Sequence, residues 1–151
     1  MRIATYLASG MASLLLCAAA HSVQPQTSGV LGYWQEPGGS VLNIAPCGDA
    51  VCLTLAKISK GAPATVDRNN PDATLKDRPL CGLTVGTGFR LDGTDKAEDG
   101  KLYDPKSGKT YQGAMHSEGD VLQLRGYIGM KAFGRSEDWA RTTAPEDCAK
   151  P

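Results

Sequence analysis

The chain has 151 residues, in which 16 Lys and Arg balance 16 Asp and Glu for a formal net charge of +0. The charges are evenly scattered and form no basic stripe with interleaved aromatics, which excludes nucleic acid as the expected partner. Beyond the N-terminal segment no apolar run approaches the roughly 20 residues that cross a bilayer as a helix.

The N-terminal segment itself predicts export. Arg2 supplies a positive start, Leu7 to Cys17 is apolar around Leu14, Leu15 and Leu16, and Ala18 to Ala20 offers the small residues at which a leader is cut. Residues 1–20 are therefore assigned as a signal peptide, and Leu16 before Cys17 argues against lipid attachment there. Removing 20 residues from 151 leaves 131, and because Arg2 is the one charged residue lost, 15 Lys and Arg then face 16 Asp and Glu. That length predicts one domain with one core. It is placed at 30–143, between a linker at 21–29 and a tail at 144–151.

From Val30 onward short β-type runs alternate with Gly, Pro, Asn and Asp, and no helical period persists for three turns. Leu31 to Glu36 opens the domain and turns at Pro37-Gly38-Gly39. Val41 to Ala45 returns, and Gly48-Asp49 leads into Val51 to Ile58. A polar excursion from Ser59 to Asp77 follows, long enough to be the first candidate for a binding loop. Leu80 to Leu91 reads as a fourth strand, bulged at Gly86 or Gly88. After a charged turn at Asp95 to Gly100, Lys101 to Asp104 and Lys109 to Met115 flank the turn Pro105 to Gly108. Val121 to Ile128 alternates, with Leu122, Leu124, Gly126 and Ile128 on one face and Val121, Gln123, Arg125 and Tyr127 on the other. A last strand spans Lys131 to Arg141.

About eight to nine strands in consecutive hairpins predict an all-β fold. An antiparallel up-and-down β-barrel fits because closure removes exposed edges; a β-sandwich would use the same strands and stays open as the rival. Of the 5 cysteines, Cys17 belongs to the leader. The other four, in an oxidising compartment, predict two disulfides. Cys47 and Cys52 flank a tight turn and are paired, which leaves Cys81 for Cys148. Cys-x4-Cys spacing, with only His116 and the near-terminal His21 to help, argues against zinc. No metal and no cofactor is assigned.

Six strings in order carry a resemblance: Gly32-Tyr33-Trp34; Asp67-Arg68-Asn69-Asn70-Pro71; Arg78-Pro79-Leu80-Cys81-Gly82-Leu83; Tyr103 through Tyr111; Leu124 through Gly129; and Phe133-Gly134-Arg135 with Trp139 and Arg141. Over Leu31 to Arg141 the chain resembles the DUF2147 family of exported bacterial proteins. The resemblance implies a lipocalin-like barrel with room for an internal cavity, located in the periplasm or the medium, and it implies no reaction. Gly32 and Trp34 look like the Gly-x-Trp signature of lipocalins, in which the indole closes one barrel end under an arginine. Arg141, two residues past Trp139, is the expected cover.

The expected ligand contacts are Asp67 and Asn70 on the long loop, with Arg78, Tyr103, Tyr111, Arg125 and Arg135. Arg78, Arg125 and Arg135 sit among apolar or glycine residues, and an inward Arg125 would need a carboxylate, either from the protein or from an anionic ligand. Tyr103 and Tyr111 straddle one hairpin and either pair across it or present hydroxyls to a cavity. No nucleophile elbow or metalloprotease motif occurs, so no catalytic residue is assigned. The reading is a binding module for a small amphipathic or anionic molecule; the alternative is an envelope structural or interaction protein with a packed barrel and no ligand.

Overall fold

The computed structural model describes residues 29–146 and Cys148. The assigned leader, the linker up to residue 28, and tail residues 147 and 149–151 lie outside the described residues.

The described residues form eight strands: β1 (Gly32–Gln35), β2 (Val41–Cys47), β3 (Ala50–Lys57), β4 (Thr84–Asp92), β5 (Lys96–Asp104), β6 (Lys109–Glu118), β7 (Val121–Tyr127) and β8 (Arg135–Thr142). Each pairs antiparallel with its neighbour in sequence, and β8 returns to β1 with Trp34 opposite Arg141, so the sheet closes into a barrel. No strand edge is left open, which decides between barrel and sandwich. Period-two alternation explains the burial: Leu42 and Ile44 on β2, and Val51, Leu53 and Leu55 on β3, point inward while Asn43, Cys52 and Thr54 between them face out.

The strand boundaries differ most from the sequence reading at three places. Asp95 to Gly100 is not a turn, because β5 begins at Lys96, with Ala97 and Gly100 buried and a register irregularity between them. Its charges line the solvent side of an amphipathic strand. β4 begins at Thr84, so Leu80 to Leu83 stays in the long connection. Lys131–Phe133 forms a 3-10 turn that delays β8 to Arg135. The irregularity in β4 falls where glycine was noted: Leu53 is opposite Gly86 and Val51 opposite Phe89, with Gly88 at φ 72.

The barrel has a closed end and an open end. The short turns after β2, β4 and β6 gather at the closed end, where Trp34, Ile44, Val51, Phe89, Met115 and Leu122 fill the interior. Phe89 fits because two strand positions lack side chains: a Cβ on Gly100 would sit 2.3 Å from its ring, and one on Gly113 would sit 2.7 Å from both Phe89 and Leu102. Trp34 Nε1 donates to the Val30 carbonyl at 2.8 Å. The Arg141 guanidinium lies 4.0 Å from the Trp34 ring centroid and donates to the Gly29, Leu31 and Gly119 carbonyls. A cation on an indole face, spending its donors on backbone oxygens, seals that end without an unpaired buried charge. Disulfides join Cys47 to Cys52 at the closed end and Cys81 to Cys148 beside the open one.

Candidate ligand-binding cavity

The four connections 36–40, 58–83, 105–108 and 128–134 crowd the open end. Beneath them is a cavity of about 640 Å³. Its wall is apolar, formed by Leu42, Leu53, Leu55, Val85, Leu102, Leu124 and Trp139, and its mouth carries Glu36, Arg68, Asp104, Lys106, Arg135 and Glu137. An apolar chamber with a few polar groups at its entrance is the usual form of a small-molecule site. The rim charges are unevenly satisfied. Glu36 accepts from the backbone of Gly38 and Ser40, Asp104 accepts from Ser107 and the Lys106 backbone, and Glu137 accepts from Trp139 Nε1. Lys106 lies 3.9 Å from Glu36. Arg68 and Arg135 have no acidic partner among the described residues.

The long connection between β3 and β4 forms one side of the mouth and is stitched down at Asp67. This carboxylate has 0% exposure. It accepts from Tyr103 Oη at 2.5 Å, Asn70 Nδ2 at 2.8 Å and Arg78 Nε at 2.8 Å, with Arg78 Nη2 at 2.7 Å. Burial raises the pKa of such a group, but the hydrogen bonds from Tyr103, Asn70 and Arg78 and the arginine charge outweigh it, so Asp67 stays below the usual carboxylate value. Burial, and then the Asp67 hydrogen bond and charge, push the Tyr103 phenol up to about 12. The backbones of Asp67 and Arg78 also bond, Val66 bridges to Pro79, and Asn69 donates to the Lys106 carbonyl at 2.9 Å. Asx-rich sequence thus builds a small rigid hairpin fixed to β5 and the β5–β6 turn.

The expected contacts divide into groups. Tyr111 and Arg135 border the cavity, and Tyr103 borders it with its hydroxyl already committed to Asp67. Asp67, Asn70 and Arg78 are absent from the wall, because they satisfy one another in the stitch. Arg125 is on the outer face: Leu122 and Leu124 took the interior, and the guanidinium donates to the Lys131 and Ala132 carbonyls and to Ser136 Oγ. It therefore needs no carboxylate, and the buried carboxylate of Asp67 belongs to Arg78. Tyr103 and Tyr111 are not opposite each other; the register sets Tyr103 against Thr110 and Tyr111 against Leu102. His116 lies on the outer wall in line with Gln123 and Asp138, away from the cavity.

The mouth also contains residues that the sequence does not single out as ligand contacts: Glu36, Arg68, Asp104, Lys106 and Glu137. A signal for Glu137 existed. Arg135, Glu137, Trp139 and Arg141 alternate along β8, so a Trp139 that packs inside brings the other three to the same face.

Residues 32–141 match the family described as "Uncharacterized protein conserved in bacteria (DUF2147)". The chain belongs to the DUF2147 family. Among solved structures, the Helicobacter pylori protein HP1028, described as belonging to the lipocalin family, matches this DUF2147 chain with a TM-score of 0.69. The match has 20% identity and covers 77% of this chain and 85% of that one. At that identity the likeness is one of fold, and it makes the DUF2147 barrel lipocalin-like. No curated protein matches the chain. Two disulfides in a chain of a bacterial family are consistent with an exported protein.

Proposed function

We propose that this DUF2147 protein is exported to the periplasm or the medium and there holds a small amphipathic or anionic molecule in the open half of its barrel. The observation that carries the reading is the chamber of about 640 Å³, apolar in its wall and bordered by two arginines, Arg68 and Arg135, that have no acidic partner among the described residues. The apolar part of a ligand would lie against Leu42, Leu55, Leu124 and Trp139, and an acidic group would meet Arg135, with the Tyr111 ring beside it. The rival reading, a packed barrel with no ligand, requires side chains where the open half has space.

Native mass spectrometry of protein purified without detergent, followed by solvent extraction, tests the proposal. The expected result is a releasable adduct, or uptake of an anionic amphiphile such as anilinonaphthalene sulfonate. Both should fall in L55W, which fills the chamber. A wild-type protein that carries no adduct and takes up no amphiphile overturns the reading.

A further inference from the structure

The described residues include six exposed large hydrophobics, and three of them stand in one short connection: Ile128 at 69%, Met130 at 65% and Phe133 at 80% exposure. This β7–β8 connection is not slack. Arg125 donates to the carbonyls of Lys131 and Ala132, the Phe133 and Gly134 backbones bond back to Met130 and Lys131, and Lys131 pairs with Glu98 at 2.6 Å. A Cβ on Gly134 would lie 2.7 Å from the Gly126 carbonyl oxygen, so the connection is also packed tightly against β7. The protein thus spends hydrogen bonds on holding three apolar side chains in water, where solvation opposes them.

The charge around them has one sign within the segment. Between Asp120 and Glu137 the chain contains no acidic residue, while Arg125, Lys131 and Arg135 are all cationic. Glu98, across the barrel wall, offsets Lys131 alone, and Glu137 is tied to Trp139. Set against these two carboxylates, the three cations leave a local excess of one positive charge in a chain of balanced total charge. Apolar side chains projecting from a rigid loop, with cations just behind them, suit an anionic bilayer surface: the apolar tips enter the headgroup boundary and the cations remain among the phosphates. A second copy of the chain fits less well, because a two-fold contact through the patch would set Lys131 and Arg135 against their own counterparts. Three side chains also fall well short of the roughly 800 Å² per partner that a stable protein interface covers.

We propose that the β7–β8 connection docks the barrel on anionic membrane surfaces, with Ile128, Met130 and Phe133 inserted and Lys131 and Arg135 facing lipid phosphates. Ile128, Phe133, Gly134 and Arg135 also border the cavity, so docking sets the chamber mouth against the bilayer. The proposal goes beyond cavity binding and stands whether or not the chamber is filled.

The test is co-sedimentation of the exported, folded protein with vesicles of phosphatidylglycerol and phosphatidylethanolamine, against vesicles of phosphatidylcholine alone. The expected result is partitioning onto the anionic vesicles that weakens about tenfold or more in I128S/M130S/F133S. It should weaken with rising salt, and again in K131E/R135E. L55W, which blocks the chamber, should leave it intact, so failure of docking and failure of ligand binding are read separately. Should the triple variant fold poorly, F133W supplies a second readout: brominated lipid should quench its emission well beyond that of buried Trp34 and Trp139. Equal sedimentation of wild type and triple variant, no quenching in F133W, or concentration-dependent dimerisation that the triple variant abolishes would each overturn the proposal.

Discussion

The two ends of this barrel are made from the same eight strands and do different things. At the closed end short turns let inward side chains meet, and Phe89, Met115, Leu122 and Trp34 leave no space. At the open end the inward positions are occupied by Leu42 and Leu55, paired across β2 and β3, and by Leu124, which border the void without filling it, and the connections that would cover them are pinned to the rim instead. The difference comes from the turns and from where large rings are placed, since the alternation continues through both halves. One half supplies stability, and the other half tolerates a void because of it.

That contrast can be broken most severely at Phe89. F89A should destabilise by about 3–5 kcal/mol in urea unfolding, the cost of a large core cavity. L55A, in a wall that already borders space, should fall at or below the low end of the range for such truncations, about 2 kcal/mol. Equal losses at the two positions would mean that the halves are not distinct. Removing the Cys81–Cys148 bridge, which closes a loop of 67 residues, should cost about 4 kcal/mol on the chain-entropy model, against about 2 kcal/mol for Cys47–Cys52. Thermal unfolding of C81S/C148S and C47S/C52S ranks them. D67N should cost about 2 kcal/mol, because it removes a charge-assisted acceptor from Arg78 and Tyr103. Hydrogen exchange should show the loss concentrated in 58–83, with the closed-end strands unchanged.

The smallest effect sharpens the same comparison through pH. Asp67 titrates below the usual aspartate value of 3.8, so its contribution is present above that value and is lost as pH falls through the lower, folded-state pKa. Tyr103 behaves in the opposite sense. Its phenol is raised from 10.0 to about 12, so its contribution is complete below pH 10 and is lost as pH rises through 12. Protection factors in 58–83, which correct for the intrinsic pH dependence of exchange, should therefore be flat between these limits and fall outside them, ahead of the closed end.

The order and pairing of strands were legible because hairpin turns and period-two runs are local signals. Both disulfides followed from a turn between two cysteines and from elimination. The charged start of β5 was not legible, since Lys96, Glu98 and Asp99 resemble a loop until Ala97 and Gly100 are seen facing the core. The cavity was harder still. Which arginine borders it depends on which face of β7 turns inward, and the alternation there allowed either choice until Leu122 was found fully buried. In sequence Asp67 resembles a ligand contact because it lies on the long polar loop; the fold instead buries it and satisfies it from Asn70, Arg78 and Tyr103, the last of them on a strand distant in sequence.

Gly113 lies where the plug meets the chamber, with Phe89 on one side of the missing side chain and Leu102 on the other. A methyl group added there must push one of them, and the plug has no slack to yield. Leu102 would rise into the void, so this bare backbone position sets the depth of the chamber.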